Sequence, residues 1–297
     1  MKNSFLVIVF LSAALISSCS DYSKMLKITD YEYKYEVAKQ YYAEGQYNRA
    51  TLLMQDVIAS MKGIESGEES LYLLGMSSYK SKNYDAAASY FRKYYQTYPK
   101  GLYAEEARFN CGRSLYMTTP EPRLDQTATY EAVTEFQQFL ENYPTSRLRG
   151  EAQDMIFSLQ DKLVEKEYLS AKLYYNLGSY FLNCPNGGSN YQACIVTAEN
   201  AVKDFPYTTR REDFAILILR AKFELARQSV EAKKEERYNA AVDEYYGFTS
   251  EYPESKYTAE ANALLAGARK YLNRHSSTSA ATLDPEDSSE KGTKEEK

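Results

Sequence analysis

Residues Leu71–Pro99 read LYLLGMSSYKSKNYDAAASYFRKYYQTYP. Leu71, Leu74 and Gly75 share one face of a first helix, and Tyr84, Ala87, Phe91 and Tyr94 share one face of a second. Lys82 and Asn83 supply the turn between them. Pro99 ends the second helix, because its ring has no N–H to continue the ladder. Gly75 and Ala87 are small where the two helices must cross, and Leu74 and Phe91 fill the space beside them. A hairpin with one apolar face cannot bury it alone, so this stretch predicts copies of itself on either side.

The copies are present. Aromatic-proline pairs recur at Tyr98-Pro99, Tyr143-Pro144, Phe205-Pro206 and Tyr252-Pro253. Each proline follows an aromatic opener (Tyr84, Tyr130, Tyr191, Tyr238) by 14 or 15 residues. Small residues follow each opener at Ala86-Ala87, Ala132, Ala193-Cys194 and Ala240-Ala241. Upstream, Tyr47 and Ala50 repeat the spacing of Tyr84 and Ala87 without a closing proline. The order Leu-x2-Leu-Gly, Ala-x3-Phe, Pro is the tetratricopeptide signature. The expected fold is therefore all-α, with tetratricopeptide-like hairpin repeats forming a right-handed superhelical array of about five units.

The remaining segments follow from composition and breakers. Residues 1–18 read as a signal peptide: Lys2, an apolar run from Phe5 to Ile16, then small residues. The run is too short to span a bilayer. Ile16-Ser17-Ser18-Cys19 resembles the bacterial lipobox, which implies cleavage before Cys19 and acylation of its sulfur; the alternative is an ordinary signal peptide with an incidental cysteine. Residues 19–29 form the lipidated tether, and Asp30 is the expected N-cap of the first unit. Residues 30–145 hold repeats 1–3, with an insertion at Thr118–Gln126 where Pro120 and Pro122 force extended backbone. Residues 146–273 hold an unusually long helix, Ser146 to Leu182, then repeats 4 and 5 and a capping helix from Ala259. In the fifth repeat the charged run Ala232–Arg237 is read as a turn. The tail, 274–297, is rich in Ser, Thr, Glu and Lys and is expected to be disordered.

The chain has 297 residues, of which 44% are hydrophobic, 30 are tyrosine and none is tryptophan; its net charge of -5 disfavours a nucleic-acid partner. Catalytic constellations are lacking in the sequence. The single histidine, His275, lies in the tail, and neither an HExxH pair nor a Gly-rich phosphate loop occurs. No cofactor and no metal are expected. Cys111 takes the place of Leu74 in its repeat, so it reads as a buried small hydrophobe. Cys184 and Cys194 flank one short turn; a disulfide there and a Cys194 that merely faces the helix crossing are both open.

A ladder stands out. Tyr42, Tyr79 and Tyr116 are spaced by 37 residues, as are Tyr35, Tyr72 and Phe109, and Glu32, Glu69 and Glu106. The two aromatic columns lie seven residues apart on one stripe of each first helix. That stripe is expected to face the groove of the array and to bind a peptide rich in aromatics. The competing reading is that these rings only pack between neighbouring units. Arg210 and Arg211, just after the Pro206 closure, are candidates for an acidic partner surface or for solvent-exposed charges.

The lipobox cysteine, about five hairpin units, the helix sequence LQDKLVEKEYLSAKLYY (159–175) and the aromatic-proline closures together resemble the BamD family, lipoproteins of the outer-membrane β-barrel assembly (BAM) machinery. The resemblance implies a non-catalytic scaffold on the periplasmic face of the outer membrane, held there by its lipid. It implies that the N-terminal repeats receive unfolded outer-membrane β-barrel proteins. It further implies that the C-terminal half docks on a POTRA domain of BamA, beside other BAM subunits. The Thr118–Gln126 insertion, the Cys184–Cys194 turn and the charged tail depart from the expected family pattern. Two alternatives remain: a tetratricopeptide scaffold of another envelope complex, and a glycan-binding surface lipoprotein. The absence of tryptophan speaks against the latter.

Overall fold

The computed structural model describes residues 25, 27–61, 65–178 and 189–281. Among them the chain forms eleven helices and no strand. These are α1 (Tyr31–Ala43), α2 (Tyr47–Val57), α3 (Glu65–Lys80), α4 (Tyr84–Thr97), α5 (Ala104–Thr118) and α6 (Thr127–Asn142). They continue with α7 (Arg149–Leu177), α8 (Asn190–Asp204), α9 (Arg211–Arg227), α10 (Glu231–Glu251) and α11 (Thr258–Ala281). From α1 to α6 and from α8 to α11 consecutive helices pack on one another, giving the tetratricopeptide-like array expected from the spacing. The chain divides into two compact units, and the division falls within α7, between Leu163 and Val164.

In the N-terminal unit three hairpins share one construction. Asp30 caps α1, its Oδ1 accepting from Tyr33 N at 3.1 Å. The turns after α1 and α3 are the same turn 37 residues apart. Gly45 (φ +76°) and Lys82 (φ +63°) both sit in the left-handed region. Gln46 N and Asn83 N reach back to Tyr41 O and Ser78 O at 2.8 and 2.9 Å. In the second and third hairpins the crossing rests on a glycine notch, where the first hairpin has buried Ala38. A Cβ on Gly75 would lie 2.7 Å from Cε1 of Phe91, and one on Gly112 would lie 2.9 Å from Cε1 of Phe136. Both phenylalanines are wholly buried. Cys111 is buried beside this crossing, with Sγ 3.4 Å from Ala88 O. The N-terminal half of α7 completes this core through Ala152, Ile156 and Leu159.

The closures are one repeated device. The residues before the four prolines, Tyr98, Tyr143, Phe205 and Tyr252, have φ between -123° and -129° and ψ between 64° and 68°. A proline excludes helical ψ from the residue before it, so the helix stops there. The carbonyl of each aromatic then accepts from the backbone N–H three residues on, at 3.0 to 3.2 Å. In three closures that residue carries a hydroxyl. Ser146, Thr208 and Ser255 accept from Leu148 N, Arg210 N and Tyr257 N at 3.0, 3.2 and 2.9 Å. The Pro99 closure has Gly101 instead, and the Tyr94 hydroxyl of α4 supplies the missing acceptor, taking Tyr103 N at 3.0 Å; that hydroxyl in turn donates to Glu68 Oε1 of α3, which also takes Leu102 N at 2.6 Å.

In the C-terminal unit the second half of α7 packs on α8 and α9 through Val164, Ala171, Cys194, Phe214 and Leu217. Gly267 of α11 repeats the notch, its Cβ position 2.9 Å from Cζ of Phe223 on α9. Asp213 gathers three partners: the Tyr257 hydroxyl at 2.6 Å, Lys256 at 3.2 Å and Arg210 at 3.4 Å. Burial alone would raise its carboxyl, but the Tyr257 bond and the two cations outweigh burial and hold it below the usual carboxylate range.

Several element boundaries differ from the sequence reading. The long helix begins at Arg149 rather than Ser146 and ends at Leu177 rather than Leu182, with Gly178 in the left-handed region at φ +50°. The run Ala232–Arg237 is not a turn; it lies in the first turns of α10, and the break falls at Gln228–Val230. Ala, Lys, Glu and Arg are strong helix formers, so charge density alone does not break a helix. Residues 274–281, placed in the disordered tail by composition, continue α11 to Ala281. No Gly or Pro interrupts that stretch, and His275 stacks on Tyr271 with ring centroids 5.8 Å apart. Residues 282–297 lie outside the described residues.

The notch predicts that Gly75→Ala, although it adds helix propensity worth about 1 kcal/mol, destabilises the fold by about 1 kcal/mol net, because displacing Phe91 costs about 1–3 kcal/mol. Lys82→Gly relieves a left-handed side chain and stabilises by about 0.5–1 kcal/mol. Chemical denaturation of both variants measures the two signs. Asp213 has a depressed folded-state pKa, so its contribution is present above the unfolded value of about 3.9 and disappears as pH falls through the lower folded value. Acid titration of stability below about pH 4 is therefore flatter in Asp213→Asn than in the parent.

Candidate partner-binding groove

The first helices α1, α3 and α5 carry the aromatic ladder, and the structure separates its two columns. Tyr35 and Phe109 are buried. The Tyr35 hydroxyl donates to Glu69 Oε2 of the next unit at 2.6 Å. Burial, then this carboxylate, pushes its pKa far up. Tyr72 is half-buried, stacked on Tyr103 at 4.4 Å with the rings within 7° of parallel. Burial, reinforced by Glu106, pushes Tyr72 up to about 12. Phe109 packs on Phe136 and Phe139 at 5.9 and 5.5 Å. Tyr35 and Tyr72, with Glu69 and Glu106 of the acidic column, thus stitch one unit to the next, while Phe109 packs within its own hairpin.

The column 42/79/116 is different. All three tyrosines are half-buried, with part of each ring open. Tyr42 and Tyr79 each lean edge-on against the tyrosine that opens the partner helix of their hairpin, Tyr47 at 5.5 Å and Tyr84 at 5.4 Å. Tyr116 instead pairs its hydroxyl with Ser158 Oγ of α7 at 3.1 Å. Beside it, the Thr118–Gln126 insertion is held in one conformation. Buried Gln126 donates to Glu121 O and Leu124 O at 2.7 and 3.0 Å, and Lys162 of α7 donates to Thr119 Oγ1 at 2.6 Å. A third column on the same helices, Lys39, Met76 and Arg113, was legible from the same 37-residue period but carries mixed residue types, so an aromatic count passes over it.

In the C-terminal unit Arg210 and Arg211 are engaged within the chain. Arg210 pairs with Glu165 and Asp213 and lies over the Tyr168 ring at 4.6 Å. Arg211 donates to Glu251 at 3.1 Å and to Pro206 O at 3.2 Å. Arg149 makes the same bond to Pro144 O at 3.3 Å, so Arg211 also serves the closure. Tyr207, between them and Pro206, is 97% exposed. Cys194 is a free, wholly buried thiol that burial pushes up to about 12. Cys184 and the proposed lipidation site Cys19 lie outside the described residues. Among the described residues no three His, Cys, Asp or Glu side chains converge to hold a metal, and no helix is long and apolar enough to cross a membrane.

A protein of Aquifex aeolicus (strain VF5) named "Putative outer membrane protein assembly factor BamD" is 30% identical over 172 residues, which cover 57% of this chain and 56% of that protein. The match therefore spans little more than half of that relative's length. The model of the YfiO family, described as outer membrane lipoprotein, matches residues 29–186, which is more than half of the chain and includes the three N-terminal hairpins and all of α7. The chain belongs to the YfiO family of outer membrane lipoproteins.

Proposed function

We propose that this lipoprotein is a non-catalytic scaffold of the outer-membrane β-barrel assembly machinery, anchored at the periplasmic face through acylated Cys19. Its N-terminal hairpins receive unfolded β-barrel proteins, and its C-terminal unit docks on a POTRA domain of BamA alongside other subunits of the complex. The family membership and the assembly-factor name of the Aquifex relative support this reading. The observation that carries it is the column Tyr42, Tyr79 and Tyr116, repeated on three successive first helices with part of each ring left open. Tyrosine offers broad apolar area with a polar tip and few rotatable bonds, which suits an extended, aromatic-rich client. Since Arg210 and Arg211 are committed within the chain, the docking surface in this reading is the rim they shape, where Tyr207 stands open.

The test is binding of a urea-unfolded β-barrel protein, diluted onto the purified chain. Truncation of aromatic anchors costs about 1–2 kcal/mol each, so Tyr42→Ala with Tyr79→Ala weakens binding at least about tenfold while circular dichroism stays helical. Unchanged binding by the folded double variant overturns the groove.

A further inference from the structure

The third column of the N-terminal hairpins holds two cations, Lys39 and Arg113, with Met76 between them. Both cations lie three residues before a tyrosine of the open column, Tyr42 and Tyr116, and so on the same helix stripe. Their surroundings differ. Lys39 is used within the array: it approaches Glu36 at 3.6 Å and Glu69 at 3.7 Å and lies over the Tyr35 ring at 5.1 Å. Arg113 has no carboxylate partner among the described residues. Its guanidinium lies over the Tyr79 ring at 5.2 Å and is partly exposed. The acid facing this corner, Glu151 of α7, acts on the Tyr79 hydroxyl without forming an ion pair with Arg113. The Tyr79 hydroxyl also takes a hydrogen bond from this guanidinium; the remaining N–H donors of its planar fork match a carboxylate.

We propose that Arg113 is the carboxylate-binding residue of the tyrosine groove. Its guanidinium takes a carboxylate of an aromatic-rich polypeptide, while Tyr79 and Tyr116 on either side take the neighbouring apolar side chains. This rests on the groove reading above and adds the charge that fixes where along the column a client chain is held. The carboxylate comes either from a chain terminus or from an Asp or Glu side chain, and the two sources are separable.

The experiment uses fluorescein-labelled ten-residue peptides of alternating Thr and Phe on the full chain, read by fluorescence anisotropy. One ends in a free carboxylate, one is C-terminally amidated, and one is amidated with a single internal Asp. A charge-assisted pair is worth about 1.5–3 kcal/mol, so the parent binds at least one carboxylate form roughly tenfold tighter than the neutral peptide. The favoured form names the source. Arg113→Gln brings the ratio of carboxylate-peptide to neutral-peptide affinity to about one; Arg113→Lys restores part of it. Binding without a carboxylate preference, or a preference that survives Arg113→Gln, overturns the assignment and leaves the groove standing. Failure of all three peptides to bind, or binding indifferent to Tyr42→Ala with Tyr79→Ala, removes the groove and this inference with it.

Discussion

The structure depends on a side chain that is missing. At Gly75 and Gly112 the first helix of a hairpin has no Cβ, and a phenylalanine ring from the second helix occupies that volume. The two backbones approach closely enough for Phe91 and Phe136 to be wholly buried. Dispersion and apolar burial are then gained at a short interhelical distance. Other close contacts lie beside this spacing. Cys111 reaches Ala88 O, Tyr72 stacks on Tyr103, and Phe109 slides between Phe136 and Phe139.

A repeat protein needs a rule for leaving each hairpin as well as for closing it. Here the rule is the aromatic-proline pair. Proline removes helical backbone from the residue before it, and a hydroxyl two residues after the proline caps the restart. Where the hydroxyl is lost at Gly101, the Tyr94 hydroxyl takes its role, itself held by Glu68 of the preceding helix. The geometry is conserved among the four closures although the chemistry that holds it is not. Once the seam between units is sealed by Tyr35 and Tyr72 of one aromatic column, the second column is left half-open on the same helices.

Much of this was legible in the residues. Proline geometry, glycine at a crossing and the 37-residue period are local or nearly local constraints, so hairpins, closures and the long α7 could be read without coordinates. Two of the boundary errors came from treating charge and polarity as breakers. Ala232–Arg237 and residues 274–281 contain no residue that forbids a helix, and the helix continues through them.

What the sequence by itself determined is the repeat, the helix ends and the family resemblance, because backbone sterics and apolar periodicity act within one hairpin. What only the tertiary structure decided is the fate of each repeated side chain. Tyr35 and Tyr42 share a stripe and a period, yet one is sealed by Glu69 of the next unit and the other is left partly open. Lys39 and Arg113 share a column, yet one is neutralised by two carboxylates and the other rests on a ring. Arg210, which looked available, is held by Glu165 and Asp213. Period fixes the direction in which a side chain leaves its helix; exposure and charge depend on what a neighbouring element places opposite it, and that is set by packing.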